Sequence, residues 1–259
     1  MAARRTCLVA VGVLLLGPCG PQVARADDYD LVDQWLQDHN AVRYTITPLT
    51  EDYVANVLPG SYFGVRFQQY PLAVVPPADL APSNVFFVID DQVYYVTDPD
   101  DLEAYFLEVV EAVQSENEAL DVGRTWLRLS EEFSQDGFFT FSAPAVQART
   151  LATGEILVRG KVDVLNGGSG GLRALLSFDA SGDFTEVRER RAIHVGIRPI
   201  CQATKLLDAD PIVRRMAERD ILVMGRTAKA YLDEQRARAT PELRQAIDRI
   251  WKRIVAEGR

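Results

Sequence analysis

The segment Glu155–Val164, with the sequence EILVRGKVDV, decides the fold class, because apolar and polar residues alternate along most of it. A period of two is typical of a β-strand with one face in the core and the other toward solvent. Further strands of the same kind are predicted on both sides of it, at 138–141, 146–151, 172–178 and 184–195. Because no helix is predicted between them, these strands form an antiparallel meander.

The preceding part of the chain combines strands with helices. Val85–Ile89 and Val93–Val96 predict a hairpin with its turn at Asp90-Asp91. Asp98 and Pro99 predict a helix start, as N-cap and first helical residue. Other strands are predicted at 42–46 and 61–70, and other helices at 30–40, 51–57 and 118–133, the last interrupted at Gly123. This order predicts an α+β fold in which helices pack on a curved antiparallel sheet.

The C-terminal part of the chain has helical periodicity only. Asp210-Pro211 predicts the start of a helix that ends at Gly225, and Thr240-Pro241 predicts the start of another. A helix at 227–238 lies between them, so residues 203–259 are predicted to be a short all-α segment of three helices.

Four motifs of this segment are Leu207-Asp208-Ala209-Asp210, the charged stretch 214–220, Met224-Gly225-Arg226-Thr227-Ala228 and Thr240-Pro241-Glu242-Leu243-Arg244. Together they resemble the HEAT-like helical segment found in many bacterial multi-domain proteins. The resemblance covers 203–259 and implies a helical packing unit that serves as a docking surface. The remainder resembles cystatin-like or NTF2-like domains in architecture alone, which implies a cavity on the curved sheet.

The N-terminus predicts export. Two arginines within Met1–Arg5, an apolar run at Thr6–Gly17 and the small residues of Ala24-Arg25-Ala26 are the layout of a secretory signal peptide cleaved after Ala26. The protein is therefore predicted to be periplasmic or secreted. A lipid anchor at Cys19 is the less favoured alternative, because Pro18 departs from the residues preferred before a lipidated cysteine.

The predicted organisation is thus a signal peptide at 1–26, an α+β domain at 27–202 and the HEAT-like segment at 203–259. A division of the α+β domain into two subdomains near 135–145 is an alternative. Residues 27–202 hold 12 basic and 28 acidic side chains, and 203–259 hold 13 and 9. The acidic excess disfavours nucleic-acid binding. No segment reaches the roughly 20 apolar residues that a membrane span needs.

The residues that could carry out catalysis or bind a metal are few. Ser169 in Gly167–Gly171 matches the G-x-S-x-G pattern of hydrolases, and Asp179 or Asp183 followed by His194 reproduces the order of a catalytic triad. The serine, however, lies between two predicted strands instead of between a strand and a helix, which favours a flexible hairpin loop.

Metal or thiol chemistry is also disfavoured. His39 and His194 are far apart, and Cys201 is the only cysteine after 26, so no cofactor or metal site is predicted. Cys201 is interpreted as packing between body and tail. The acidic residues at Asp98–Asp101 are explained by the helix start, without calcium.

The end of the helix at 118–133 carries Glu131 and Glu132, followed by Asp136. Paired carboxylates in a cleft can act as acid and base. The favoured interpretation is nevertheless a solvated helix end, since adjacent residues on a helix do not face one another. The aromatic residues beside this acidic group are Phe133, Phe138 and Phe139. Rings that fit either a binding surface or the core and its rim belong to Tyr62, Tyr70, Tyr94, Tyr95 and Tyr105.

With catalytic residues unknown, the sequence predicts an exported binding protein without an evident catalytic motif. Its partner is a protein docked on the 203–259 helices or a small ligand in the sheet cavity. One alternative is a small hydrolase or isomerase that uses Asp, Glu or Tyr groups in that cavity. A second alternative is a structural component of the cell envelope.

Overall fold

The computed structural model describes residues 26–259, so all of the predicted signal peptide except Ala26, and with it the alternative lipidation site at Cys19, lies outside it. The first half contains α1 (Ala26–Asp38), β1 (Tyr44–Leu49), α2 (Asp52–Val57), β2 (Ser61–Phe67), β3 (Ser83–Ile89), β4 (Gln92–Val96), α3 (Pro99–Val109) and α4 (Glu116–Glu132). The second half contains β5 (Thr140–Phe141), β6 (Ala145–Thr150), β7 (Ile156–Asn166), β8 (Gly168–Phe178), β9 (Phe184–Val195), α5 (Pro211–Met224), α6 (Lys229–Ala237) and α7 (Pro241–Ala256).

The predicted α+β class is confirmed, and the strands form two antiparallel sheets. The first sheet is the meander β1-β2-β3-β4. In the second sheet β5, β7, β8 and β9 lie in that order, and β6 also pairs with β7. Along β7, Ile156, Val158, Gly160 and Val162 are buried and Arg159 and Lys161 are exposed, which confirms the alternation of Glu155–Val164.

Helix α4 is the centre of the main core. It contacts β3 of the first sheet and β6, β7 and β8 of the second. Ser115 caps its start, since the Ser115 hydroxyl accepts a hydrogen bond of 3.2 Å from the backbone N–H of Glu118. Trp126, Leu127 and Leu129 are fully buried in a cluster that contains residues of both sheets. The opposite face of the first sheet is covered by α1.

The sequence predicts an interruption of this helix at Gly123, but α4 continues through it. Gly123 instead allows the helix to approach β7. A Cβ atom at Gly123 would lie 2.6 Å from Cγ1 of Val158, which is fully buried. Glycine is therefore required at this position by the close packing of α4 on β7, and it does not end the helix.

Replacing Gly123 with alanine is expected to lower the free energy of unfolding by about 1–2 kcal/mol. The gain in helix propensity of about 1 kcal/mol is smaller than an overpacking cost of up to about 3 kcal/mol. Urea denaturation of Gly123→Ala, Val158→Ala and the double variant measures the effect. The double variant should be more stable than the sum of the single effects, because Val158→Ala removes the clashing methyl group. A Gly123→Ala protein more stable than the wild type would contradict this packing argument.

The C-terminal helices begin and end at the predicted caps. Asp210 Oδ1 accepts a hydrogen bond of 2.7 Å from the N–H of Ile212, Thr240 Oγ1 accepts one of 3.4 Å from Leu243, and Gly225 ends α5 with a φ of 60°. Among residues 26–259, no helix combines the length and apolar character needed to cross a membrane.

These helices pack on the rest of the protein through apolar contacts and hydrogen bonds. Phe138 is buried in the C-terminal apolar cluster and stacks on Tyr231, with ring centroids 5.0 Å apart. Thr45 of β1 donates a hydrogen bond of 2.7 Å to Glu234 of α6, and Arg238 donates one of 2.7 Å to the carbonyl of Tyr44. Helix α6 therefore lies beside the first strand of the first sheet.

Candidate functional site

The last turn of α4 is buried, with Glu131 7% and Glu132 4% exposed. The interpretation of this turn as a solvated helix end is therefore wrong. Because α4 runs between the two sheets, its C-terminal turn remains inside the protein, where β2 covers it. Both carboxylates face Arg128, one turn earlier: Arg128 Nη1 lies 2.9 Å from Glu131 Oε1 and 2.6 Å from Glu132 Oε1.

Arg128 also binds a third carboxylate. Its Nε lies 2.5 Å from Oε1 of Glu51, which precedes α2. We call Arg128 with Glu51, Glu131 and Glu132 the carboxylate cluster. One guanidinium therefore faces three carboxyl groups, so the cluster has an excess of negative charge when all three are ionised.

The pKa values in the cluster are shifted by this arrangement. Burial raises the pKa of Glu131 to about 8, although the charge of Arg128 acts to lower it, and Glu132 and Glu51 raise it further. Burial acts to lower the pKa of Arg128, but the three carboxylates outweigh burial and raise it. At neutral pH Glu131 therefore mostly retains its proton, while Arg128 is charged.

Gly64 of β2 makes room for Glu132. A Cβ atom at Gly64 would lie 2.4 Å from Oε2 and 2.7 Å from Cδ of Glu132, so any side chain there would displace the carboxylate. The backbone carbonyl of Glu132 accepts a hydrogen bond of 2.5 Å from Ser83. The glycine thus places the carboxylate directly against the inner face of the first sheet.

Arg66 lies two residues further along β2, on the same face as Gly64. Its guanidinium donates only two long hydrogen bonds, each of 3.5 Å, to Gln135 Oε1 and Thr47 Oγ1. Within residues 26–259 no carboxylate lies within 4.0 Å of it, and its buried Nε has no hydrogen-bond partner. Arg66 is therefore a partly buried cation whose charge is not neutralised by direct contact.

A cavity of about 270 Å³ lies between Arg66 and the carboxylate cluster, and we call it the α4 cavity. A smaller cleft beside Tyr70 has a volume of about 20 Å³, enough for about one water molecule. The walls of the α4 cavity include Thr47 and Arg66 of the first sheet, Arg128, Glu131 and Glu132 of α4, Phe139 and Phe141, and Ala230 and Glu234 of α6.

Asp136 does not join the two glutamates. It lies 2.6 Å from Nε of Arg198, and its Oδ1 accepts a hydrogen bond of 3.0 Å from the N–H of Phe138. The Arg198 guanidinium lies 4.8 Å from the ring centroids of both Phe138 and Phe139. Asp136 therefore holds an arginine that packs beneath the C-terminal helices.

The serine, histidine and aspartate residues do not form a triad. The glycine run is not a flexible loop, because most of it is the start of β8, where Ser169 pairs with His194 of β9. Asp179 and Asp183 lie in the turn at the other end of this hairpin, about ten residues or 30 Å along the strands.

The remaining candidates have structural positions. Asp98 Oδ1 accepts a hydrogen bond of 2.9 Å from the N–H of Asp101, as the predicted helix start requires. Cys201 is half-buried and packs against the C-terminal apolar cluster. In the part of the chain that the structure describes, no group of three His, Cys, Asp or Glu side chains is placed to hold a metal ion.

The tyrosines are distributed over the cores. The hydroxyl oxygens of Tyr62 and Tyr105 are 2.5 Å apart within the main core. Tyr94 stacks on Phe87 in the same core, and Tyr95 packs on the opposite face of the first sheet. No tyrosine of residues 26–259 lines the α4 cavity.

Sequence reasoning singled out Glu131 and Glu132 but missed Arg66, Arg128 and Gly64. The available signal was the spacing of Arg128 from the two glutamates, since residues three and four apart lie on one helix face. Comparison with known proteins finds no matching protein-family model, no matching curated protein and no matching solved structure.

Proposed function

We propose that the protein binds a small polar ligand in the α4 cavity. The observation that carries this proposal is the separation of charge across the cavity: Arg66 has no direct carboxylate partner, while Arg128 faces three carboxyl groups. Charged groups removed from water are costly unless they are paired. A bound ligand with complementary charges would supply the missing partners.

The size and lining of the α4 cavity favour a small ligand. Pockets for drug-sized ligands have volumes of about 300–1,000 Å³, and the α4 cavity, at about 270 Å³, lies just below this range. Phe139 and Phe141 provide an apolar part of the wall, with ring centroids 5.8 Å apart. The ligand is therefore expected to combine charged groups with a small apolar portion.

The proposal assigns a role to the C-terminal helices as well. Ala230 and Glu234 of α6 form one side of the cavity, so residues 203–259 would help to enclose the ligand. Docking of a partner protein on the outer surface of this segment stays a prediction. Three apolar side chains on one face of α5 are each more than half exposed, those of Ile212, Met216 and Val223.

Export also stays a prediction, and it rests on the sequence pattern at 1–26.

Blocking the cavity tests the proposal. A library of small charged metabolites is screened by thermal denaturation against the wild type, Ala230→Phe and Ala237→Phe. Ala230 lines the cavity, whereas Ala237 is exposed at the end of the same helix. Compounds present at about 100 times their Kd should stabilise the wild type and Ala237→Phe by about 2.7 kcal/mol and should not stabilise Ala230→Phe.

Melting of each variant without ligand shows that Ala230→Phe is folded. If no compound stabilises the wild type, or if the compounds stabilise Ala230→Phe equally, the proposed site is wrong.

Acid–base catalysis is a second candidate function, favoured by the convergence of Glu131 and Glu132 on one cavity. Burial holds the pKa of Glu131 near 8, so Glu131 can donate a proton at neutral pH beside a second carboxylate. A hydrolase or isomerase acting on the bound ligand would use this pair. Following a stabilising compound by NMR in the presence of the protein separates the two functions, because only an enzyme converts it to product.

A further inference from the structure

We infer that the ligand of the α4 cavity is a free α-amino acid, whose carboxylate binds Arg66 and whose ammonium group binds Glu131 and Glu132. The inference rests on the proposed function and names the chemical class of its ligand. It is drawn from the position, charge and unused hydrogen-bonding atoms of these three side chains.

Arg66 has the properties of a carboxylate-binding residue. Its guanidinium presents a planar set of donors that fits a carboxylate through two parallel hydrogen bonds. The present acceptors, Gln135 and Thr47, are neutral and each lie 3.5 Å away. A ligand carboxylate would therefore replace weak contacts with charged ones.

The carboxylate cluster has the properties of an ammonium-binding site. Among residues 26–259, Arg128 is the only basic side chain that forms an ion pair with Glu51, Glu131 or Glu132. Oε2 of Glu131, a residue of the cavity wall, is buried and has no hydrogen-bond partner in this part of the chain. A ligand ammonium group brings three donors and one positive charge. It would favour ionisation of Glu131, whose pKa burial raises to about 8.

The two sites are neighbours on one face of β2. The Glu132 carboxylate lies against Gly64, and the backbone of Gly64 is two residues, or about 7 Å, along β2 from that of Arg66. Arg66 and Glu132 also line the same cavity. In an α-amino acid the ammonium and carboxylate groups are attached to one carbon atom, so one molecule can present them to two neighbouring side chains. A simple amine or a simple carboxylic acid would leave one side of the cavity unpaired.

Phe139 and Phe141 indicate that the ligand side chain is apolar. Glu234 of α6 also lines the cavity, and its Oε1 accepts a hydrogen bond from Thr45. The inferred class is a small apolar amino acid.

Matched ligands test each half of the inference. Isothermal titration calorimetry measures binding of the twenty amino acids, then of 3-methylbutan-1-amine and 4-methylpentanoate, which are leucine without its carboxylate and without its ammonium group. We expect at least one apolar amino acid to bind, and leucine to bind at least about 10-fold more tightly than either analogue, since a charged hydrogen bond contributes about 1.5–3 kcal/mol.

Variants assign the contacts to residues. Arg66→Gln should weaken leucine binding at least about 10-fold and leave binding of the amine unchanged, because the amine has no group for Arg66. Glu132→Gln should weaken binding of both. Arg188→Gln is the control, since the Arg188 side chain is 72% exposed and pairs with Glu186 on β9. Thermal melting shows that each variant is folded.

Each remaining result decides against the inference. Equal binding of leucine and the amine, or an Arg66→Gln variant that weakens both equally, would show that no carboxylate contacts Arg66. If no amino acid binds while another library compound binds in the α4 cavity, the inferred class is wrong and the proposed function stands. If nothing binds, both are wrong.

Discussion

Replacing Arg128 with glutamine is expected to lower the free energy of unfolding by about 3–5 kcal/mol at pH 7, the cost typical of removing one partner from a buried ion pair. Arg128 makes close contacts with Glu51, Glu131 and Glu132, and the side chains of both α4 glutamates are at most 10% exposed. Without the guanidinium the ionised carboxyl groups of the cluster must take protons or become solvated. Either change disturbs the end of α4 and its contact with β2.

The loss should depend on pH in a defined direction. In the variant, the pKa of Glu131 would rise above its wild-type value of about 8, since Arg128 no longer favours the charged form. Above about pH 8 only the variant continues to lose stability as pH rises, so the difference in stability between wild type and variant should be larger at pH 9 than at pH 7. Urea denaturation at pH 7 and pH 9 measures both effects.

Arg124→Gln is the matched control on the same helix. Arg124 pairs with Asp121 at 2.5 Å, but both side chains are more than a quarter exposed, and partly exposed pairs of this kind contribute about 0–1 kcal/mol. If Arg128→Gln loses no more stability than Arg124→Gln, the carboxylate cluster does not contribute as described.

Local rules accounted for much of the secondary structure. The caps at Asp98-Pro99, Asp210-Pro211 and Thr240-Pro241 depend on a few neighbouring residues, and all three helices begin at them. Strand β7 is equally predictable from the sequence, because the alternation of apolar and polar residues depends only on which face is buried. The division of the strands into two sheets is not predictable in this way, since it depends on contacts between residues distant in sequence.

The glycines were misread for the same reason. Gly123 looked like a helix breaker and Gly167–Gly171 like a loop, yet Gly123 allows α4 to pack against Val158 and Gly168–Gly171 lie in β8. At Gly167, with φ of 83°, a Cβ atom would lie 2.2 Å from the carbonyl oxygen of Phe138. In each case the requirement for glycine comes from a residue far away in sequence.

The sequence allows the residue types of the candidate site to be predicted, but not their burial. Glu131 and Glu132 are adjacent in the sequence, and glutamate side chains are usually exposed to solvent. Whether they are buried depends on β2, through Gly64, and on the passage of α4 between two sheets. Arg66 gave no sequence signal, because an arginine on a strand is most often an exposed residue.

Replacing Glu131 with glutamine is expected to make the protein more tolerant of alkaline pH. Burial raises the pKa of Glu131 to about 8 in the folded chain, whereas an unfolded glutamate titrates near 4.3. Between these values the folded state holds a proton that the unfolded state has released. The free energy of unfolding therefore falls by up to about 1.4 kcal/mol for each pH unit as pH rises through this window. Above about pH 8 it becomes constant.

Glutamine has the shape of the protonated side chain and never ionises, so Glu131→Gln does not suffer this loss. Near pH 4.5 the variant and the wild type should have similar free energies of unfolding, and by pH 9 the variant should be more stable by several kcal/mol. Urea denaturation at pH 5, 7 and 9 measures the trend, with Glu111→Gln as the control because Glu111 is exposed. A difference between Glu131→Gln and wild type that stays constant with pH would mean that Glu131 is already ionised beside Arg128. The ammonium-binding half of the α4 cavity would then carry one more negative charge in the free protein at neutral pH.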